Sequence, residues 1–292
     1  MFDIIKNTKL WFMISAALIL LGIFALSFNS FVRGNPMNFG IDFTGGTLLN
    51  LRFEKPVSIA AVRSVLDKYK LGESVIQKSG DRDLLIRAVP IEGEKRADLM
   101  KDLNEKVGAS EILEADVIGP TIGKELAAQT IWALIIASIG IIIYVSFRFE
   151  FKYAVAALLA LYHDAIITTG IIALLWRSVN VTFVAAILTI MGYSINDTII
   201  IFDRIRENLK KPNLAKKKLG EVINISIQET LARSINTVLT VIIMVLCLLF
   251  FGGETLRDFA LVLLIGFAIG TYSSIFIASP ILVIWHNWES KR

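Results

Sequence analysis

The segment GYSINDTIIIFDRIREN, from Gly192 to Asn208, sets a carboxylate, Asp197, inside an apolar run. A charge within a membrane helix costs roughly 2.5–3.5 kcal/mol on insertion scales, so it has a partner or a task, and the usual task is moving protons or ions. Asp203 and Arg204 mark the charged end of the run, and Asp203 reads as interfacial and solvated. Asp197 lies six residues earlier, ~9 Å inside that boundary at the helical rise. Its neighbour Asn196 either orients hydrogen bonds at Asp197 or packs a helix–helix contact. Tyr193, one turn before Asp197, shares its face. A second acid, Asp164, follows His163 twelve residues past Lys152, ~18 Å along a helix and so near mid-membrane. Protonation would remove its charge, which makes it a second candidate proton carrier; a structural hydrogen bond is the other reading. An unperturbed histidine titrates near neutrality, but consecutive helix side chains point ~100° apart, so His163 and Asp164 need not touch. His163 is equally read as a packed neutral ring bonded to a neighbouring helix. Arg233 begins a later apolar run and is either a counter-charge for Asp197 or a snorkelling side chain among head groups, which the lean of helical side chains toward the N-terminus favours. Asn236, nearly a turn on, is a polar residue for the same cavity.

The elements that position these residues are apolar runs. The chain is 55% hydrophobic with a mean hydropathy of +0.65. Six runs, Leu10–Phe28, Ile131–Phe147, Tyr153–Trp176, Val181–Phe202, Ile235–Phe251 and Phe259–Trp285, are each of membrane-crossing length. The first has Lys6 and Lys9 before it and no small-residue cleavage site after it, so it reads as an uncleaved anchor. Gly266, Gly270, Thr271, Ser273 and Ser274 give the last run the small side chains of tight helix packing. The single cysteine, Cys247, has no disulfide or metal-ligand company, and neither a metal nor a cofactor is expected.

Short-loop charge sets the expected orientation. Arg204, Arg206, Lys210, Lys211, Lys216, Lys217 and Lys218 follow the fourth run, Arg148 and Lys152 separate the second from the third, and Lys291 and Arg292 end the chain. The opposite short loops hold only Arg177 and Arg257. Positive loops face the cytoplasm, so both termini are expected inside and the net charge of +4 is a topology signal. The 204–218 cluster lacks interleaved aromatics, which argues against nucleic acid.

Residues 30–129 then fall outside, between a first span in 1–29 and a five-helix bundle in 130–292 whose basic cytoplasmic loop covers 204–233. Asn38–Phe53 reads as a strand, Ser58–Tyr69 as a helix capped by Ser58, Glu73–Lys78 and Asp83–Val89 as a hairpin around Ser79-Gly80-Asp81, Glu94–Val107 as a helix and Ser110–Ile118 as a last strand. The order βαββαβ is that of a ferredoxin-like α+β domain. It carries no phosphate loop, nucleophile triad or metal cluster, so it reads as a binding or mechanical element and no enzyme activity is expected. Gly45 and Gly46 in GIDFTGGT, Gly40 to Thr47 with Asp42 inside it, are read as a bulge or twist, or as a contact surface near the membrane. GPTIGKEL reads as a linker and helix start, with Gly119 and Gly123 spaced for close packing.

Six spans, a long loop after the first, GIDFTGGT, GPTIGKEL, the His163-Asp164 pair and the Gly192–Asn208 segment together resemble the SecF family over essentially the whole chain. This is the smaller partner in the bacterial SecD–SecF export complex, related to the resistance–nodulation–division transporters. The resemblance implies spans that pair with SecD, work beside the SecYEG channel and its accessory subunits in the cytoplasmic membrane, and use of the proton gradient to draw preproteins outward. It implies Asp197 as the protonatable residue and Arg233, in ETLARSINT, as its charged associate; Asp164 is added on depth alone. Two other readings compete. Half of a proton-coupled lipid or small-molecule transporter would use the same scaffold. An intramembrane aspartyl protease would need Asp164 and Asp197 at matching depths, and the unequal helical distances oppose it.

Overall fold

The computed structural model describes residues 3–290 apart from 79, 92 and 215, so Lys291, Arg292 and the Ser79 position of the expected hairpin turn lie outside the described residues. The chain divides into two compact units, residues 1–38 with 133–292, and residues 39–132.

Among the described residues six helices are long and apolar enough to cross a membrane, which makes this a multi-pass membrane protein. They are α1 (Thr8–Arg33), α5 (Pro120–Arg148), α6 (Phe151–Leu174), α7 (Val181–Leu209), α8 (Leu219–Phe251) and a composite last span. That span runs through α9 (Glu254–Ser273), a π-helical turn (Ser274–Ala278) and α10 (Ser279–Glu289). Pro280, at the start of α10, has no N–H to give the preceding turn, and the Ser279 hydroxyl instead donates to the Ser274 carbonyl at 3.1 Å.

Several helices outrun their apolar stretches. α8 starts at Leu219, well before Ile235, because its first turns bury Val222, Ile223 and Ile227 while their other faces stay polar. α6 stops at Leu174 and not at Trp176, where the backbone turns left-handed (φ 53°) and the Arg177 N–H reaches back to the Ile172 carbonyl. Arg33 lies 4.1 Å over the Trp176 ring, and Asn29 Nδ2 donates to the Ala173 carbonyl at 2.8 Å, fixing this end of α1 to α6. Along their length α1 and α6 meet backbone to backbone. A Cβ on Gly170 would stand 2.7 Å from the Gly22 Cα, so only hydrogen fits at the crossing. Gly266 likewise receives the Ile190 side chain of α7.

In the 39–132 unit, β2 (Gly46–Phe53), β3 (Val75–Lys78), β4 (Asp83–Ala88) and β5 (Ser110–Ile118) form one antiparallel sheet in the order β3-β4-β2-β5. α3 (Ile59–Lys68) joins β2 to β3, and α4 (Gly93–Lys106) joins β4 to β5. Alternating Leu49, Leu51 and Phe53 of the central strand meet Val62, Val65, Leu66, Leu99 and Leu103 of the helices in one apolar core. Ser58 caps α3 by accepting from the Ala61 N–H at 3.1 Å.

The expected single strand Asn38–Phe53 is interrupted. A two-residue strand, β1 (Asn38–Phe39), gives way to a helical turn, α2 (Ile41–Thr44), before β2 begins, while a second two-residue strand, β6 (Ser178–Val179), precedes α7. Gly45 (φ 70°) and Gly46 (φ 134°) make the exit from α2 into the sheet, a path side-chain-bearing residues rarely follow. The sheet irregularity expected at this glycine pair lies instead at Asn50/Leu51. Gly45 is also a contact point: a Cβ on Gly123 would stand 2.9 Å from its amide nitrogen, and a Cβ on Gly45 would stand 3.0 Å from the Pro120 Cα. The two glycine segments thus pack on each other. Gly119, expected to share that packing, faces open space.

Candidate functional site

α6, α7 and the last span are the most enclosed of the six, and the polar centre lies where α1 closes on them. Asp164 is 1% exposed and fully engaged. Its Oδ2 accepts from Ser194 Oγ of α7 at 2.6 Å and from Ser273 Oγ of α9 at 2.8 Å, and its Oδ1 lies 3.0 Å from His163 Nδ1. The two neighbours that helical geometry left free to diverge therefore meet. His163 Nε2 continues the chain to Ser15 Oγ of α1 at 2.9 Å. Ser15 donates onward to the Tyr272 hydroxyl at 3.4 Å, and Tyr272 donates to the Trp11 carbonyl at 2.7 Å. One buried carboxyl ties two helices to its own and, through His163, heads a line of exchangeable protons reaching α1.

Asp197 is buried differently. Its Oδ1 accepts from Ser234 Oγ of α8 at 2.6 Å, while its Oδ2 is buried with no hydrogen-bond partner. An unpartnered carboxylate oxygen is costly in an apolar setting. Next to it Thr198 Oγ1 and Ser274 Oγ lie 2.8 Å apart. Ser273, the last residue of α9, and Ser274, the first of the π-helical turn, both face inward, one toward Asp164 and the other toward α7. Ser194, bonded to Asp164, stands three residues before Asp197 on the same helix, ~4.5 Å in depth. The two acids thus lie closer in depth than counting along separate helices implied, and their carboxyls share no hydrogen bond.

Arg233 makes no ion pair with Asp197; its side chain is exposed, and the residue after it, Ser234, is the one that reaches the acid. Asn196, Asn236 and Gly192 are exposed on the bundle surface, and Tyr193 packs its ring 4.6 Å from Phe267. Asp203 pairs with Arg148 at 3.0 Å. Arg204 bonds Glu229 at 2.6 Å and Glu207 at 2.7 Å, and Asn208 bridges to Ser226 and Glu229, clamping the ends of α7 and α8 together. Gly40 precedes α2 and Asp42 lies in its first turn, where the Asp42 carbonyl oxygen would stand 3.5 Å from a Cβ on Gly123. Among the described residues no cluster of three or more His, Cys, Asp or Glu could hold a metal.

Ser15, Ser194, Ser234 and Tyr272 were not singled out from the sequence, and Ser273 was read as packing alone. The only signal was a hydroxyl recurring inside apolar runs, which marks helix contacts as readily as ligands.

Comparison places this geometry among known proteins. Residues 99–288 match the SecD/SecF C-terminal domain of protein export membrane proteins, and residues 34–57 match the SecD/SecF GG motif. The protein translocase subunit SecF of Sebaldella termitidis is 41% identical over 98% of this chain and 92% of its own. That of Desulfurispirillum indicum is 45% identical over 85% of this chain and 82% of its own. Among solved structures, SecDF of Thermus thermophilus, described as a translocon-associated membrane protein, superposes with a TM-score of 0.87 at 38% identity over 98% of this chain. SecDF in a super-membrane-facing form gives 0.70 at 37% identity over 99%. The chain spans 39% of the length of each SecDF chain.

Proposed function

Since the chain belongs to the SecD/SecF family of protein export membrane proteins, we propose that it is an accessory subunit of the Sec preprotein translocase. With SecD it uses the proton-motive force to promote late stages of export beside SecYEG across the cytoplasmic membrane. The observation that carries this reading is the pair of buried acids, Asp164 saturated with hydrogen bonds and Asp197 with one oxygen left open.

In the proposed cycle Asp197 takes a proton from the outer side. The neutral acid then needs an acceptor for its new O–H, and the open Oδ2 is where that demand falls, so α7 and α8 shift relative to each other. Arg233 approaches Asp197 directly or through water in another state of the cycle. The line Asp164–His163–Ser15–Tyr272 supplies a second route for protons and holds α1 and the last span in register. One charge crossing 100 mV carries ~2.3 kcal/mol, enough to bias a two-state element ~50-fold.

In this reading both termini and the 204–233 loop are cytoplasmic and residues 30–129 are an extracytoplasmic, ferredoxin-like domain. Loop charge supports the first point, and the strand order with two crossover helices supports the second. The membrane part of α5 is almost unburied, with Ile136, Ile139, Ile143 and Phe147 facing outward, which suits a span that pairs with SecD within surrounding lipid.

The test is export of a reporter preprotein by membranes carrying wild type or Asp197→Asn, with H⁺ and Na⁺ gradients applied separately. The variant is expected to assemble yet lose all gradient-dependent stimulation. Full stimulation in the variant overturns the proposal.

A further inference from the structure

We infer that the end of the bundle carrying the basic loops holds a binding site for the head group of an anionic glycerophospholipid. A cavity of about 270 Å³ opens there, lined by Lys152, Tyr153, Leu209, Lys217, Leu219, Ile223, Leu282 and His286. Four helix ends meet at it: the starts of α6 and α8 and the ends of α7 and α10. Two cations and an ionisable histidine face one small volume. Lys152 is paired 3.2 Å from the exposed Glu150, whereas Lys217 and His286 make no side-chain hydrogen bond or ion pair. Like charges gathered in a concave site repel one another unless an anion sits between them, so the lining is complementary to phosphate.

The remaining walls select which phosphate. Leu209 and Leu219, both partly exposed, offer hydrocarbon where glycerol and the first acyl carbons would lie, over a floor of buried Tyr153, Ile223 and Leu282. A freely soluble anion gains nothing from those leucines. Glu150 precedes α6 and Glu221 lies in the first turn of α8, so these acids offset the helix-start dipoles and the attraction for an anion comes from the lysines. Basic pockets between membrane helices at this level are the usual seats of anionic lipid head groups.

The full chain, purified in detergent and offered mixtures of phosphatidylglycerol and phosphatidylcholine, tests this by native mass spectrometry. Wild type should retain phosphatidylglycerol selectively, and the double variant Lys152→Gln/Lys217→Gln should lose about 30-fold of that selectivity, two basic contacts' worth. A control with Lys210→Gln/Lys216→Gln, outside the lining, should keep it. Equal loss in the control means a diffuse surface charge and overturns the site, as does unchanged selectivity in the double variant. Displacement of the lipid by millimolar inorganic phosphate means a soluble anion and overturns the lipid assignment. Should the double variant fail to insert, a photoactivatable phosphatidylglycerol on wild type decides: label within 209–223 and 282–286 supports the site, and label only elsewhere refutes it.

Discussion

Two aspartates of the same side-chain type have opposite surroundings in this bundle. Asp164 receives two serine hydroxyls and a histidine nitrogen, while Asp197 receives a single hydroxyl and keeps one oxygen bare. A fully bonded acid resists rearrangement, and an under-bonded one invites it, so in the proposed cycle Asp197 is the moving part and Asp164 the anchor. Ser234 then becomes a decisive residue. Hydrogen bonds to a charged group are worth ~1.5–3 kcal/mol, so Ser234→Ala is expected to slow gradient-driven export by roughly tenfold or more. Ser234→Thr, which keeps the hydroxyl, should stay near wild type. Export kinetics of the two variants at equal membrane abundance check this, and equal rates in both refute it.

The helices that carry these side chains depend on bare backbone at a few crossings. Gly22 and Gly170 let α1 lie against α6 closely enough for Ser15 to reach His163. Gly270 gives similar room at the acid itself, since a Cβ there would stand 3.0 Å from the Ser194 Cβ and 3.6 Å from Asp164 Oδ2. Gly170→Val should push α1 off α6, breaking the Ser15–His163 bond and destabilising the bundle by about 1–3 kcal/mol, an overpacking cost. Thermal unfolding in detergent measures the stability change. A cysteine pair placed across the α1–α6 crossing in a Cys247→Ser background reports the separation, and undiminished crosslinking would contradict the packing argument.

At the scale of the whole chain, basic loops and a long charged segment between α1 and α5 lie on opposite sides of one membrane if loop charge rules the topology. In the Cys247→Ser background, Lys210→Cys should react with an impermeant maleimide only in inverted vesicles, and Lys101→Cys only in spheroplasts. The reverse pattern would invert the proposed orientation and, with it, the direction of proton flow. Some of this organisation was readable from residue order alone. The six spans and, α2 apart, the strands and helices of the 39–132 unit are recorded in local apolar periodicity, and an acid inside an apolar run announces itself by its cost. Helix ends were less readable, since backbone hydrogen bonding carries α7 and α8 past their apolar stretches. Which hydroxyl meets which acid was not readable at all. Ser15 and His163 are 148 positions apart, and Asp164 and Ser273 are 109 apart. A contact over such separations depends on crossing angle and on glycines at the crossing, and these are set by how whole helix surfaces fit together. The sequence therefore determined that acids lie inside apolar runs, and the tertiary packing alone decided their relative depth and that one is saturated and the other left open.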